Sequence, residues 1–213
     1  MKMPSFRIPR HSKPRAPQRK FKMLKNKSLA HWPPAIRQLL NWSITVGSVL
    51  FCVLMLPTRF LGMELLGIGP NWLLIWVVAW SVKRSVWEGM LAGVVLGLIQ
   101  DAMTSPDPTH AITLGFVGFL TALVQKHRFI QEDFISIALI VFVMAIVAET
   151  IFGLQLTLMG NAYSGESVRK VKYIWAYYQR VALASAILSS LWAPILYYPL
   201  NLWWRKIKLL EQG

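Results

Sequence analysis

From residue 35 onward, long apolar runs are separated by short polar or proline-rich breaks, which divide the chain into six helical stretches. The first runs from Ala35 to Leu56, between Pro33-Pro34 and Pro57. The second spans Trp72 to Val82, after Gly67, Gly69 and Pro70 interrupt the apolar residues, and the third goes from Val86 to about Gln100. A fourth covers about Thr109 to Val124 and a fifth Phe134 to Met159. After a polar stretch the sixth extends from about Val181 to Trp204. Since about 20 apolar residues cross the roughly 30 Å hydrocarbon core of a bilayer, the pattern predicts an all-α polytopic integral membrane protein with about six transmembrane helices. The second and third are short for that thickness.

Inside the third stretch, Gly89, Gly93 and Gly97 recur every fourth residue and lead to Leu98 and Asp101. Glycines at that spacing share one helix face. In water each would cost a helix roughly 1 kcal/mol against Ala. In lipid the same stripe lets a second helix approach backbone to backbone. Gly89, Gly93, Gly97 and Asp101 are therefore candidates for helix packing and partner contact, and a polar end to the helix is the simpler reading of Asp101. Glu149 is the only acid well inside an apolar stretch. A carboxylate at the bilayer centre costs on the order of 2.5–3.5 kcal/mol, so it is expected to be paired, hydrated or protonated. Two roles fit it: a coupling or partner-binding group, or a hydrogen-bonded contact between helices, with Asn41 as one candidate partner.

Composition agrees with the pattern: 55% of residues are hydrophobic, 15% are charged, and the mean hydropathy is +0.45. These values belong to a membrane protein rather than a soluble domain. Charge adds direction. Residues 1–27 hold ten Lys and Arg and no acid, with Pro4, Pro9, Pro14 and Pro17 discouraging a helix. Residues 1–34 read as a disordered basic tail able to meet anionic lipids, residues 35–204 as the transmembrane domain, and 205–213 as a short tail. With both termini cytoplasmic, 18 basic residues fall on the inner side and 5 on the outer side, as the positive-inside rule favours. Residues 102–108 are then external and the 126–132 turn cytoplasmic. Four of the five outer charges lie between Arg169 and Arg180, among Tyr173, Trp175, Tyr177 and Tyr178; this stretch is expected to lie along the outer interface as an amphipathic segment.

Signals for chemistry are sparse. The four histidines, His11, His31, His110 and His127, show no metal-binding spacing, and one cysteine, Cys52, builds neither a disulfide nor a cysteine metal site. Asp101 and Asp107 are separated by a loop, with Pro106 before and Pro108 after Asp107, that gives no reason to fix them as a pair. No nucleic-acid reader accompanies the basic tail. The residues suggest neither an enzyme nor a cofactor.

Gly69-Pro70-Asn71-Trp72 leading into an apolar helix, a short basic turn, then the glycine ladder with Leu98 and Asp101 resembles the MreD family of bacterial rod shape-determining membrane proteins. Glu149 in the fifth stretch also fits that family. The resemblance covers roughly residues 36–159, and more loosely the sixth stretch; Ser105-Pro106-Asp107-Pro108, the long basic tail and the tyrosine-rich stretch depart from the compact members. It implies a non-enzymatic inner-membrane subunit of the cell-elongation machinery, acting with an MreC-like single-span partner and, indirectly, an MreB-like filament and the peptidoglycan synthases. The rival class is a small transporter or the substrate-binding subunit of a vitamin-uptake system, for which a Gly/Pro-interrupted span is also a pointer. Against it, the first stretch has no Ala-x-x-x-Ala ladder; Ala182 and Ala186 sit in the sixth.

Overall fold

The computed structural model describes residues 33–58, 62–104, 109–126, 134–163 and 167–211. It is all-helical, with α1 (Pro34–Met55), α2 (Trp72–Ser81), α3 (Val86–Met103), α4 (His110–Lys126), α5 (Phe134–Tyr163) and α6 (Ser167–Glu211). The basic tail, Asp107 and most of the turn after α4 lie outside the described residues.

Four of the six helices contain stretches long and apolar enough to cross a membrane: Ala35–Met55, Val86–Met103, Phe134–Met159 and Trp175–Lys208. α2 and α4 are shorter: the second stretch is short as expected, whereas the third, expected to be short, extends to Met103 and is long enough, and the fourth is the other short one. At 1.5 Å per residue the 10 residues of α2 rise about 15 Å, half of the hydrocarbon thickness. It is instead the core of the bundle. Every residue from Trp72 to Ala79 is buried, as expected of a helix that is apolar all round. The antiparallel pairs α3–α4 and α5–α6 flank it, and α1 packs mainly on α2.

A half-length helix in an apolar bundle must satisfy its ends locally. Asn71 does so at the start: its side-chain oxygen accepts from the Leu74 amide at 3.0 Å, and its own N–H donates to Ser189 Oγ on α6 at 2.9 Å. Midway, Trp76 Nε1 donates to Ser48 Oγ on α1 at 2.8 Å. Tryptophans continue the ties, with Trp72 on Trp192 at 5.5 Å, Trp76 stacked on Trp80 at 5.4 Å, and Trp80 edge-on to Trp204 at 5.2 Å between centroids. Before α2 the chain makes a tight turn in which Leu65 and Ile68 exchange backbone hydrogen bonds, with Leu66 and Gly67 both at positive φ.

Outward faces are apolar. On α1, Leu39, Trp42, Val46, Leu50 and Leu54 are exposed at helical spacing, and on α3 Trp87, Leu91, Val95 and Leu98 are exposed. Such stripes suit contact with lipid chains. The segment from Arg169 to Arg180 is no separate interfacial element. It is the first part of α6, which runs unbroken for 45 residues and passes Trp204 to reach Glu211. Hydropathy falls over that segment, yet neither Gly nor Pro occurs between Ser167 and Ala193 to end a helix.

The geometry of Asn71 gives a direct test. Asn71→Ala removes the cap and should destabilise the bundle by about 1 kcal/mol, read as a lower thermal midpoint in detergent. Asn71→Ser, which keeps an acceptor at the cap, should recover most of it; equal loss from both would remove the cap from the account.

Candidate functional site

The glycine ladder faces α4 of the same chain. A Cβ placed on Gly89 would lie 2.7 Å from the Gly118 carbonyl oxygen, and one on Gly93 would overlap the Leu114 carbonyl and come within 2.8 Å of the Gly115 nitrogen. On Gly97 it would lie 2.5 Å from the Ala111 nitrogen and 2.6 Å from the His110 carbonyl oxygen. Contacts that close are shorter than any ordinary Cβ makes, so the two backbones touch because the side chains are absent. The match is reciprocal: a Cβ on Gly118 would overlap the Gly89 carbonyl, and one on Gly115 would lie 2.7 Å from Val94 Cγ2. Ala111, Gly115 and Gly118 on α4 were legible as a second small-residue face at helical spacing, but sequence reasoning did not single them out. The ladder is thus covered from within, while Leu98 lies on the opposite, exposed face of α3.

Close approach at Gly97 brings the next turn of α3 over the start of α4. There the Asp101 carboxylate accepts from the His110 N–H at 2.7 Å, the Ala111 N–H at 3.3 Å, and the Thr109 hydroxyl at 2.5 Å. His110 Nδ1 stands 2.7 Å from the same carboxylate and donates in the tautomer that carries its proton there. The first amides of a helix have no partner within it, and the helix dipole favours negative charge at that end. Asp101 satisfies both needs and staples α4 to α3. Its carboxylate is committed to this end, which supports a structural reading over an acid–base one.

Glu149 is placed elsewhere, on α5, where it lines a cavity of about 270 Å³ with Thr150, Trp175, Tyr178, Gln179 and Ala182. It makes no hydrogen bond or ion pair with another described residue. Asn41, the candidate partner, is not among the residues around it; it lies near the opposite end of the bundle beside Trp80 and Trp204. Among the described residues, rings lead from Asp101 toward Glu149, His110 lying 4.7 Å from Phe152 and Phe152 lying 5.8 Å from Tyr178. A bond from Gln155 Nε2 to Thr113 Oγ1 at 3.0 Å joins the two hairpins on the same side. The motif residues Pro70, Asn71 and Trp72 shape the start of α2, with Pro70 and Trp72 buried. Among the described residues, no three His, Cys, Asp or Glu side chains gather as a metal site.

Comparison with known proteins agrees with this arrangement of motifs. The family model described as rod shape-determining protein MreD matches residues 36–207. No curated protein and no solved structure matches the chain.

Two substitutions test the α3–α4 contact. Gly93→Leu should destabilise the hairpin by about 3 kcal/mol, the upper end of overpacking costs, whereas Gly47→Leu should be near neutral because nothing lies within 4 Å of its Cβ position. Thermal unfolding in detergent reads both, and similar midpoints would mean that the ladder does not bear on stability. At the cap, Asp101→Ala should cost about 1–2 kcal/mol, while Asp101→Asn, still an acceptor, should lose clearly less. Complete loss of stability with the asparagine would show that the charge, not the cap, is what matters.

Proposed function

The chain belongs to the MreD family of rod shape-determining membrane proteins, and from that membership we propose that it is a non-enzymatic subunit of the cell-elongation machinery. In this reading it sits in the bacterial inner membrane with both termini cytoplasmic. It holds an MreC-like single-span protein and, indirectly, is linked to an MreB-like filament and the synthases of lateral peptidoglycan. The observation that carries the reading is the family match over residues 36–207, from the start of α1 nearly to the end of α6.

A single-span partner needs a face that the bundle has not already used. The glycine ladder is covered by α4, so its contribution to partner binding is indirect: it keeps α3 and α4 rigid. The cavity at Glu149 is the better seat. A carboxylate there without a hydrogen-bond partner is costly in lipid, and a polar or cationic group on an incoming helix would relieve that cost. The outward stripe with Leu91, Val95 and Leu98 on α3 then remains in contact with lipid.

Affinity purification in mild detergent with mass spectrometry is the direct test. A co-purifying single-span protein supports the reading, and a small ligand in its place would redirect it to uptake. Within that experiment Glu149→Gln should retain most partner recovery, because an amide keeps hydrogen bonds, while Glu149→Lys should abolish it. A lysine variant that recovers the partner like wild type would exclude the Glu149 face. Equal loss from both would assign the role to the charged carboxylate itself. Reporter fusions at residues 102–108 and 126–132 should be active on the outer and the cytoplasmic side respectively; the reverse pattern would overturn the orientation.

A further inference from the structure

At the end of the bundle where α1 begins and α6 ends, a cavity of about 980 Å³ opens between the α2–α3 turn and the last turns of α6. Four basic side chains line it, Lys83 and Arg84 from the turn with Arg205 and Lys208 from α6, and no acid does. Two of them come from one end of the molecule's core and two from a helix more than a hundred residues later, so their meeting is a product of the fold. Trp80, Trp87 and Trp204 complete the wall. The Arg84 guanidinium sits 4.3 Å from the centre of the Trp80 ring, which is itself held by Trp76 and Trp204. That stacking limits where the charge can go. Two further lining residues have buried polar atoms without a partner among the described residues, Asn41 Oδ1 and Trp204 Nε1. Leaving such groups unsatisfied is costly, and a small turn of either side chain toward an occupant with both acceptor oxygens and hydroxyl groups would satisfy them.

We propose that this cavity binds the headgroup of an anionic glycerophospholipid. Its phosphate would lie among Arg84, Lys208 and their basic neighbours, and its polar hydroxyls would meet Asn41. Guanidinium and ammonium groups are the usual partners of phosphate oxygens. A free phosphate would meet the same cations, but the tryptophans and the apolar Val86 and Ile207 on the wall suit a molecule that also carries acyl chains. Tryptophan is the residue that sits at the level of lipid headgroups. The chain's own basic tail carries the same sign of charge as the cavity and is a poor occupant. The site is distinct from any diffuse attraction of that tail to anionic lipid: it is built, and it belongs to the helical body.

The test uses the purified full chain in detergent, titrated with phosphatidylglycerol and with phosphatidylcholine, bound lipid being read by native mass spectrometry. Phosphatidylglycerol should bind preferentially. Neutralising the pair Arg84→Gln and Lys208→Gln should lower its affinity about 25-fold, at roughly fivefold for each basic residue lost. The charge-keeping pair Arg84→Lys and Lys208→Arg should stay within a few fold of wild type, which separates lost charge from lost folding. Neutralising Arg19→Gln and Lys20→Gln in the tail should change little. No preference between the lipids, an unchanged affinity in the neutralised cavity pair, or an equal loss from the tail pair would each overturn the site. Displacement of the lipid by an equal concentration of soluble glycerol phosphate would assign the cavity to free phosphates and overturn the lipid proposal.

Discussion

Everything in this bundle is arranged around one close contact, the backbone of α3 against the backbone of α4. Inside a membrane, helices gain little from hiding apolar surface from one another, because the surrounding chains are as apolar as they are. What remains is dispersion, which fades within fractions of an ångström. The glycines remove the atoms that would hold the helices apart, and Gly93 lies directly against the Leu114 carbonyl. Short helices can then form a firm pair, although α4 has only 17 residues.

From that contact the neighbouring features follow. With Gly97 pressed on Ala111, Asp101 is carried to the open end of α4 and supplies the acceptor its first amides lack. The same pair provides one wall for α2, a buried helix half as long as the bilayer core is thick, whose Leu74 amide is met by Asn71 and whose Trp76 indole is met by Ser48, with Asn71 itself tied to Ser189. The α5–α6 pair supplies another wall. Its length gives it the reach to carry Glu149 at one level and the basic residues of α6 near the opposite end. The glycine contact is therefore internal, with the buried Ser81 hydroxyl beside Gly89, while Glu149 and the basic cavity lie along other surfaces of the bundle.

For a rod shape-determining protein of the MreD family, this separation makes physical sense. The role proposed above, holding other proteins in the membrane, calls for a stiff body and distinct places to hold neighbours. A ladder left open to a partner would make stability depend on that partner being present. A ladder closed by α4 is satisfied within the chain, and Glu149 and the basic cavity stay open for the recognition roles proposed above.

Much was legible in the sequence because it is local. Apolar runs and the prolines between them located the helices, and glycine periodicity marked a packing face. The family pattern itself is local in this sense, since Pro70 to Asp101 is one continuous stretch. Other features depend on which helices meet, and no spacing encodes that. The ladder could have served any helix, but only the folded chain shows Gly118, Gly115 and Ala111 opposite it. Asn41 and Glu149 were both polar groups in apolar surroundings, and tertiary structure placed them near opposite ends. Hydropathy placed the start of the sixth stretch near Val181, yet the helix begins at Ser167, because hydropathy reports the solvent and not the backbone. The amino-acid sequence by itself determined a membrane-embedded helical chain with one face made for backbone contact. The tertiary structure decided what touches that face, because antiparallel pairing brings together residues that the chain keeps far apart.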